Sequence, residues 1–398
     1  MARWSPDSTT IEFWNGIGAS ALALPGAGGA ARVASADESG CTHTSTTAYR
    51  YLTGCRKLSS APASGTEVKS TRPQESRRAG TGLPLLALGC CLAALMSGCG
   101  GHNPSTSTTP SRGITTASPC GKGPPGSASY SHVIWLWMEN QSYDEVIGAR
   151  SAPYLTSLAA KCGLATNYHN ITHPSLPNYI AATSGLRGHE LDPFRSDCDP
   201  SRKCSTRAQS IFAQAPSWRA YEESMPQPCD RASSGLYAAR HNPPAYFSSL
   251  SGCTQSDLPL RALDHDLSNG SLPAFSFVTP NVCHDAHDCP LRKGDRWLAR
   301  TVPRIVQSAS YRAGHTVLFV TFDEGEGGSS NTCATNQADV GCHVATVIVS
   351  PSTPAGRRSA ELFNHYSLLR TTEDLLGLPP LGGARGAVGM AKAFGLTP

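Results

Sequence analysis

Four short and almost wholly apolar runs, at residues 133–138, 275–278, 317–322 and 344–349, punctuate this chain from residue 133 onward. None alternates between polar and apolar positions. Continuous apolar character is the mark of a strand buried on both faces, as in a parallel sheet. Helical patterns accompany the runs, around 153–161, 176–184, 297–307 and 367–375. Strand alternating with helix predicts an α/β fold with a mainly parallel central sheet flanked by helices. The chain has 398 residues and is 39% hydrophobic and 16% charged, enough for one large or two ordinary domains with a real core. The stretch 186–272 has a different texture. It is rich in Cys, Pro, Ser and Gly and reads as a Cys-rich loop or lid insertion.

The folded part is expected to start near Tyr130 and to run over 130–398. Residues 101–129 are rich in Ser, Thr, Pro and Gly and read as a flexible tether. Upstream, Arg77-Arg78 precede an apolar run from 83 to 96, followed by Ser97-Gly98-Cys99. A basic segment, a short apolar segment and small residues form a secretory signal, too short for a comfortable membrane span. Leu95-Met96-Ser97-Gly98-Cys99 resembles a bacterial lipobox, in which the Cys is lipidated; an ordinary signal peptide with a chance Cys is the plainer alternative. The expected organisation is a non-native or over-extended segment at 1–67, a signal peptide at 68–98 opened by a GTG-type start at Val68, and an anchor and linker at 99–129.

Cysteine usage supports export. Ten cysteines follow Cys99, and an even number in an exported chain favours disulfides. Sequential pairing would close short loops at 198/204, 229/253, 283/289 and 333/342 and leave 120 with 162, although spacing alone does not establish connectivity. Zinc ligation is the rival, but no Cys-x-x-Cys occurs after Cys99. The formal net charge is +4; nine Lys/Arg and six Asp/Glu fall in residues 1–98, so the remainder is close to neutral. No basic field is left to bind nucleic acid.

Polar residues follow the apolar runs directly. Glu139-Asn140 come after 133–138, Asp323-Glu324 after 317–322, and Asn281 with His284-Asp285-Ala286-His287-Asp288 after 275–278. Ligands of open α/β sheets bind beyond the carboxyl ends of the strands, so these groups are expected to converge. Three carboxylates and an amide oxygen in one place repel one another unless a cation sits among them. Oxygen-only ligation suits a hard divalent ion. Each residue alone has an ordinary reading as a cap, a turn or a surface loop; His343 and His365 taken singly read as structural.

Residues 172–179, Thr-His-Pro-Ser-Leu-Pro-Asn-Tyr, place Ser175 just before a helical pattern that Gly185 stops. Pro177 suits a first helical turn. A serine there is commonly a cap. It also faces free backbone N–H groups and the positive end of the helix dipole, where a phosphate would bind. A Ser175 hydroxyl that reached the cation would become a nucleophile for phosphorus, and nearby histidines would bind phosphate oxygens or protonate a leaving group.

Taken together these motifs resemble the bacterial phosphoesterase family, which includes secreted acid phosphatases and the non-haemolytic type of phospholipase C. The resemblance rests on Glu139-Asn140-x-Ser-Tyr-Asp, on Thr172 to Tyr179, and on Pro280-Asn281 with His284-Asp285-Ala286-His287-Asp288 and Gly294-Asp295-x-Trp297-Leu298. It continues through Thr321-Phe322-Asp323-Glu324-Gly325 and His365-Tyr366-Ser367-Leu368-Leu369 to Gly377-Leu378-Pro379, in the family's order over about 130–380. It implies an alkaline-phosphatase-like fold and a divalent metal ion, Ca²⁺, Mg²⁺, Mn²⁺ or Zn²⁺, surrounded by Glu139, Asn140, Ser175, Asp323 and Glu324. It further implies Ser175 and His287 as catalytic groups, with Asn178, His241, His287, Asp288 and His343 meeting substrate. Some members carry two Asp where this chain has Asp323-Glu324, which leaves the preferred metal open.

The expected activity is metal-dependent hydrolysis of phosphate monoesters, phosphoinositides among them, through a phosphoserine intermediate, by an exported, lipid-anchored protein that touches the membrane through its anchor. The rivals are a phosphodiesterase or phospholipase C on the same site, and a non-catalytic solute-binding lipoprotein.

Overall fold

The computed structural model describes residues 118–123, 130–327, 333 and 338–396, together with four short segments, Glu12–Trp14, Ala19–Ala21, Ala34–Ala36 and Thr42–Thr44, that pair as two antiparallel ribbons. The chain divides into two units, Met1–Asn103 and Pro104–Pro398. Apart from those ribbons, the expected extension at 1–67 and the signal peptide at 68–98 lie outside the described residues, as do Cys99 and most of the 99–129 linker.

Eight strands of the second unit form one sheet: β1 (His132–Met138), β2 (Gly163–Ala165), β3 (Trp218–Glu222), β4 (Asp257–Pro259), β5 (Phe275–Thr279), β6 (Thr316–Phe322), β7 (Thr346–Val349) and β8 (Arg358–Ser359). Their order is β8-β2-β7-β6-β1-β5-β3-β4. The run from β6 through β1, β5 and β3 to β4 is parallel throughout. The four apolar runs are all strands, and three of them, β1, β5 and β6, lie side by side at the centre with every residue of β5 and β6 buried. The fourth, expected as parallel, is corrected: β7 runs antiparallel to both β6 and β2. Burial on both faces produces the same apolar run whatever the strand direction, so the run could not reveal it.

The stretch 186–272 is loop-rich and carries the Cys198–Cys204 and Cys229–Cys253 disulfides. It also contributes β3 and β4 to the sheet. Their mixed sequences, WRAYE and DLP, lack the continuous apolar run of the central strands. The other cysteines after Cys99 pair as 120–162, 283–289 and 333–342, which is the sequential pattern.

Four helices frame the sheet: α1 (Pro153–Lys161), α2 (Ser175–Ser184), α3 (Leu291–Val306) and α4 (His365–Leu376). α1 starts on Pro153, whose missing N–H costs nothing in a first turn, and ends on Lys161, which suits the negative end of the dipole. α4 is capped by Asn364, whose Oδ1 accepts the N–H groups of Tyr366 and Ser367. It is tied to the sheet where Trp135 Nε1 donates to Thr372 Oγ1 at 2.9 Å. Among the described residues no helix is long and apolar enough to cross a membrane.

α2 is buried along its whole length and ends at Gly185, which adopts a left-handed conformation with φ 74°. A Cβ on Gly185 would meet the Leu381 carbonyl oxygen at 2.7 Å. Conformation and space both require glycine here. We expect Gly185→Ala to lower the free energy of unfolding by more than about 1 kcal/mol. Urea denaturation followed by circular dichroism checks this; an unchanged midpoint would contradict it.

Candidate active site

The parallel register of β1 and β6 builds the site. Phe322 pairs with Met138, so the next residue of each strand, Asp323 and Glu139, emerges side by side. The Asp323 N–H donates to the Met138 carbonyl at 3.0 Å. Asn140 then turns with φ 38°, a left-handed conformation that asparagine tolerates better than most residues. Its N–H donates to Asp323 Oδ1 at 3.2 Å. From β5 the chain turns at Asn281, whose Oδ1 accepts the N–H groups of Cys283 and His284. That turn brings the Asp285 carbonyl to the Glu139 N–H at 2.9 Å.

Ser175 is the first residue of α2 and is 2% exposed. Its Oγ lies 3.1 Å from Glu139 Oε2, 3.3 Å from Asn140 Oδ1 and 3.5 Å from Glu324 Oε1. Groups from two strand ends, far apart in sequence, thus converge on a hydroxyl from a third element. One turn along α2, the Tyr179 hydroxyl donates to Glu139 Oε1. His173 Nδ1 lies 2.8 Å from Glu324 Oε2. The motif around Ser175 therefore also orients the acids, a role the sequence reading did not assign to His173 or Tyr179. The i, i+4 spacing of Ser175 and Tyr179 on one helix was the available signal.

Asn178, expected to meet substrate, has its amide engaged by the loop that leads into Ser175. Its Oδ1 accepts the N–H groups of Ile171 and Thr172, while its Nδ2 donates to the Thr172 and Pro174 carbonyls and to Glu324 Oε2. The first turn of α2 is also less open than expected. The Leu176 N–H donates to Asp197 Oδ1 at 2.9 Å, so a side chain takes one of the positions offered to an anion.

Four carboxyl groups, Glu139, Asp285, Asp323 and Glu324, are buried together. Burial, then the charge of Asp323 and Asp285, holds Glu139 well above the usual carboxylate range. Asp323 is raised by burial and by Glu324, and Asp285 by burial and by Asp323. Glu324 is pushed up to about 8 by burial and by Asp197. Such a cluster stays charged only beside a counter-charge. The residues fit a cation. The Asn140 amide lies against the Glu139 and Asp323 carboxylate oxygens, and Asp323 Oδ2 is buried with no hydrogen-bond partner. Glu139, Asn140, Ser175, Asp323 and Glu324 offer oxygen alone, the preference of a hard divalent ion. Glu139, His241 and Asp285 form a second grouping close enough to share an ion, with nitrogen in the set.

His241, 2% exposed, stacks on the Tyr179 ring at 5.5 Å between centroids, with Nε2 3.4 Å from Glu139 Oε2. Burial, then Arg240 and His287, push its imidazole well below the usual range, which favours the neutral ring. His287 stands beside it, 5.9 Å between centroids, and is exposed. Its Nδ1 lies 2.6 Å from Asp288 Oδ1, and Arg240 reaches its Nε2. Asp288 is exposed and holds His287 at the rim. His343 is not brought to Ser175. It stacks on Tyr143 and His169, and its Nε2 meets the Thr166 carbonyl. The pairing of His343 with the chain around Tyr168 accounts for that position. His365 is structural: its two nitrogens meet Tyr168 Oη and the Asp323 carbonyl, and burial lowers it to about 4. Cavities of 760 Å³ beside Tyr154 and Pro303 and of 640 Å³ beside Trp218 and Arg219 include none of the Ser175 cluster.

The phosphoesterase family model matches residues 149–379. The chain belongs to the phosphoesterase family. The matched span holds Ser175, His241, His287, Asp323 and Glu324; Glu139 and Asn140 lie just before it and join the site through the register of β1. This family member is 30% identical over 269 residues to a phosphatidylinositol-3-phosphatase of Mycobacterium tuberculosis, covering 67% of this chain and 84% of that protein. It is 27% identical over 276 residues to an acid phosphatase of Aspergillus fumigatus, covering 64% of this chain and 56% of that one. It thus spans little more than half of the fungal relative. Among solved structures it overlays on an alkaline phosphatase superfamily protein from Vibrio parahaemolyticus with TM-score 0.45 and 13% identity, covering 68% of this chain and 72% of the other.

The raised carboxyls set a pH dependence. Without a cation, a carboxyl whose folded pKa is raised stabilises the fold at low pH and loses that contribution as pH rises from its unfolded value through its folded one. For Glu324 that window runs from its ordinary value of 4.5 to about 8. A divalent cation needs the ionised carboxylates, so its stabilisation grows over the same window. We expect the gain in melting temperature of metal-loaded over chelator-treated protein to be larger at about pH 7.5 than at about pH 5. A gap that is the same at both would contradict the cation reading.

Proposed function

We propose that the protein is a metal-dependent phosphomonoesterase in which Ser175 is the nucleophile. The observation that carries this reading is the placement of a buried serine hydroxyl within 3.5 Å of Glu139, Asn140 and Glu324. A solute-binding protein has no use for a hydroxyl held among four buried acids. A divalent cation held by Glu139, Asn140, Ser175, Asp323 and Glu324 would supply positive charge where the hydroxyl loses its proton and where phosphate oxygens gather.

The chain's own groups do the rest. Ser175 Oγ attacks phosphorus, the bond to the ester oxygen breaks, and the phosphoryl group stays on Ser175. Glu139 Oε2, 3.1 Å from that Oγ, is the nearest carboxylate to take the hydroxyl proton. His287 at the rim gives a proton to the departing alkoxide. Water then cleaves the phosphoserine and restores the hydroxyl. His241 and Arg240 face the phosphate.

The substrate class follows the relatives, one named a phosphatidylinositol-3-phosphatase and another an acid phosphatase. Phosphoinositides and small phosphomonoesters are therefore the substrates proposed. A hemolytic phospholipase C of Pseudomonas aeruginosa is 24% identical, over 43% of its length, and supports diester cleavage as the second reading. Five disulfides suit an exported protein, and anchoring at Cys99 is proposed with it.

Ser175→Ala is expected to keep the wild-type melting profile and to lose p-nitrophenyl phosphate turnover by at least about a thousandfold, the order seen when a nucleophile is removed. Chelation should abolish wild-type turnover. Turnover by Ser175→Ala at the wild-type rate would defeat the proposal, and faster release of a diester headgroup than of a monoester phosphate would favour the second reading.

A further inference from the structure

Within the loop-rich 186–272 stretch lies a cavity of 350 Å³ that includes none of the Ser175 cluster. Three arginines line it, Arg202, Arg207 and Arg231, and every other lining residue is a serine or threonine. No acid and no apolar side chain is among them. Arg195, Arg219, Arg304 and Arg370 each pair with an aspartate, whereas among the described residues none of these three forms an ion pair. The acids of the same loops are engaged elsewhere. Asp199 accepts the N–H and the hydroxyl of Ser233, and Asp230 accepts the Ala232 N–H. Three unneutralised guanidiniums around one small cavity repel one another, in a part of the chain that is otherwise close to neutral. The walls are nevertheless fixed. The Cys198–Cys204 disulfide closes the loop that carries Arg202, and Ser201 and Cys204 exchange backbone hydrogen bonds at 3.2 Å. The Thr206 N–H donates to the Tyr246 carbonyl at 2.9 Å, the Ser248 N–H to the Thr206 carbonyl at 2.8 Å, and Tyr246 Oη to the Cys198 carbonyl at 2.7 Å. Asp199, through Ser233, ties the loop of Arg231 to that of Arg202.

We propose that this cavity is a second anion site, which binds a phosphate-type oxyanion: the free ion, or the exposed phosphomonoester of a lipid headgroup. Guanidinium forks match phosphate oxygens in pairs and keep their charge at every working pH. Serine and threonine hydroxyls donate to oxygens the forks leave over. The volume is at the small end of ligand pockets, which run from about 300 to 1,000 Å³, so it suits one phosphate-sized group rather than a long polyanion. The loops that wall it also serve the Ser175 site. Asp197, which accepts the Leu176 N–H at the start of α2, precedes Ser201 by four residues, a span of at most about 14 Å. The 186–272 stretch thus carries an anion site one loop away from Ser175. A merely solvated basic face would attract anions diffusely and would not depend on which arginines are removed.

The double variant Arg202→Gln/Arg207→Gln separates the two. Its control is Arg296→Gln/Arg300→Gln, which removes the same charge from exposed positions on α3. All are full chains with metal retained. Two probes are used: inorganic phosphate, followed by titration calorimetry, and phosphatidylcholine vesicles with or without a phosphatidylinositol monophosphate, followed by co-sedimentation. Arg202→Gln/Arg207→Gln should weaken binding of at least one probe by about tenfold or more, as expected when a charged hydrogen-bonding partner is lost. The control should bind as the wild type does. If Arg202→Gln/Arg207→Gln does not fold, Arg231→Gln, on the other loop, should weaken the same probe. Loss confined to the phosphoinositide vesicles assigns the site to a lipid headgroup, and loss of inorganic phosphate alone assigns it to the free ion. Equal binding of both probes by wild type and Arg202→Gln/Arg207→Gln, or an equal fall in both double variants, would overturn the proposal. p-Nitrophenyl phosphate turnover should not change in Arg202→Gln/Arg207→Gln. The binding arms do not rest on the phosphatase reading: an inactive wild type whose binding is lost only in Arg202→Gln/Arg207→Gln would defeat that reading and leave the anion site standing.

Discussion

The structure of the site depends on one backbone register. β1 and β6 pair in parallel with Met138 opposite Phe322, and each strand is followed at once by an acid. A shift of one residue would turn both apolar strands inside out as well as separate Glu139 from Asp323. Because β1 and β6 lie at the centre of the sheet, buried on both faces, that shift would cost most of the core. The core thus enforces the register, and the register enforces a meeting of like charges that no local preference would favour.

That meeting is unfavourable by itself. Four buried carboxyl groups repel one another, and the groups around them answer only part of the need. Tyr179 and His173 each engage one carboxylate, and the Asn140 N–H engages Asp323. Orphaned acceptors remain on Asp285 and Asp323. Functional sites commonly carry local conflict that the rest of the fold sustains. Here the conflict gathers four acids around one serine hydroxyl at the start of α2, with His241 against Glu139.

Much of this was legible in the sequence, and for a physical reason. Continuous apolar runs report burial on both faces, so β1, β5 and β6 were visible, and so was the place where each ends. Polar residues just beyond such ends point at the ligand crevice, which is how Glu139, Asn140, Asp323 and Glu324 could be grouped with Ser175. What the runs do not report is direction and partnership. β7 has the same apolar run and runs antiparallel, while β3 and β4 carry mixed sequences within a loop-rich stretch and still join the sheet. His343 lies in a histidine-bearing segment but pairs with the chain near Tyr168. The family resemblance places Asn178 at the substrate; the fold shows its amide holding the loop that presents the serine. Asp285 was in view as part of a His/Asp cluster, but only the fold shows that it faces His241, 44 residues earlier in the chain.

The central claim is that Ser175 becomes phosphorylated during turnover. Its most direct test is to mix the metal-loaded protein with excess phosphomonoester, quench in acid within one turnover, and digest the protein for mass spectrometry. The account predicts a phosphoryl group on Ser175, present in the quenched sample and absent from protein that never met substrate. Active enzyme quenched during steady turnover with no phosphoryl group on Ser175, or with one on a different residue, would contradict it.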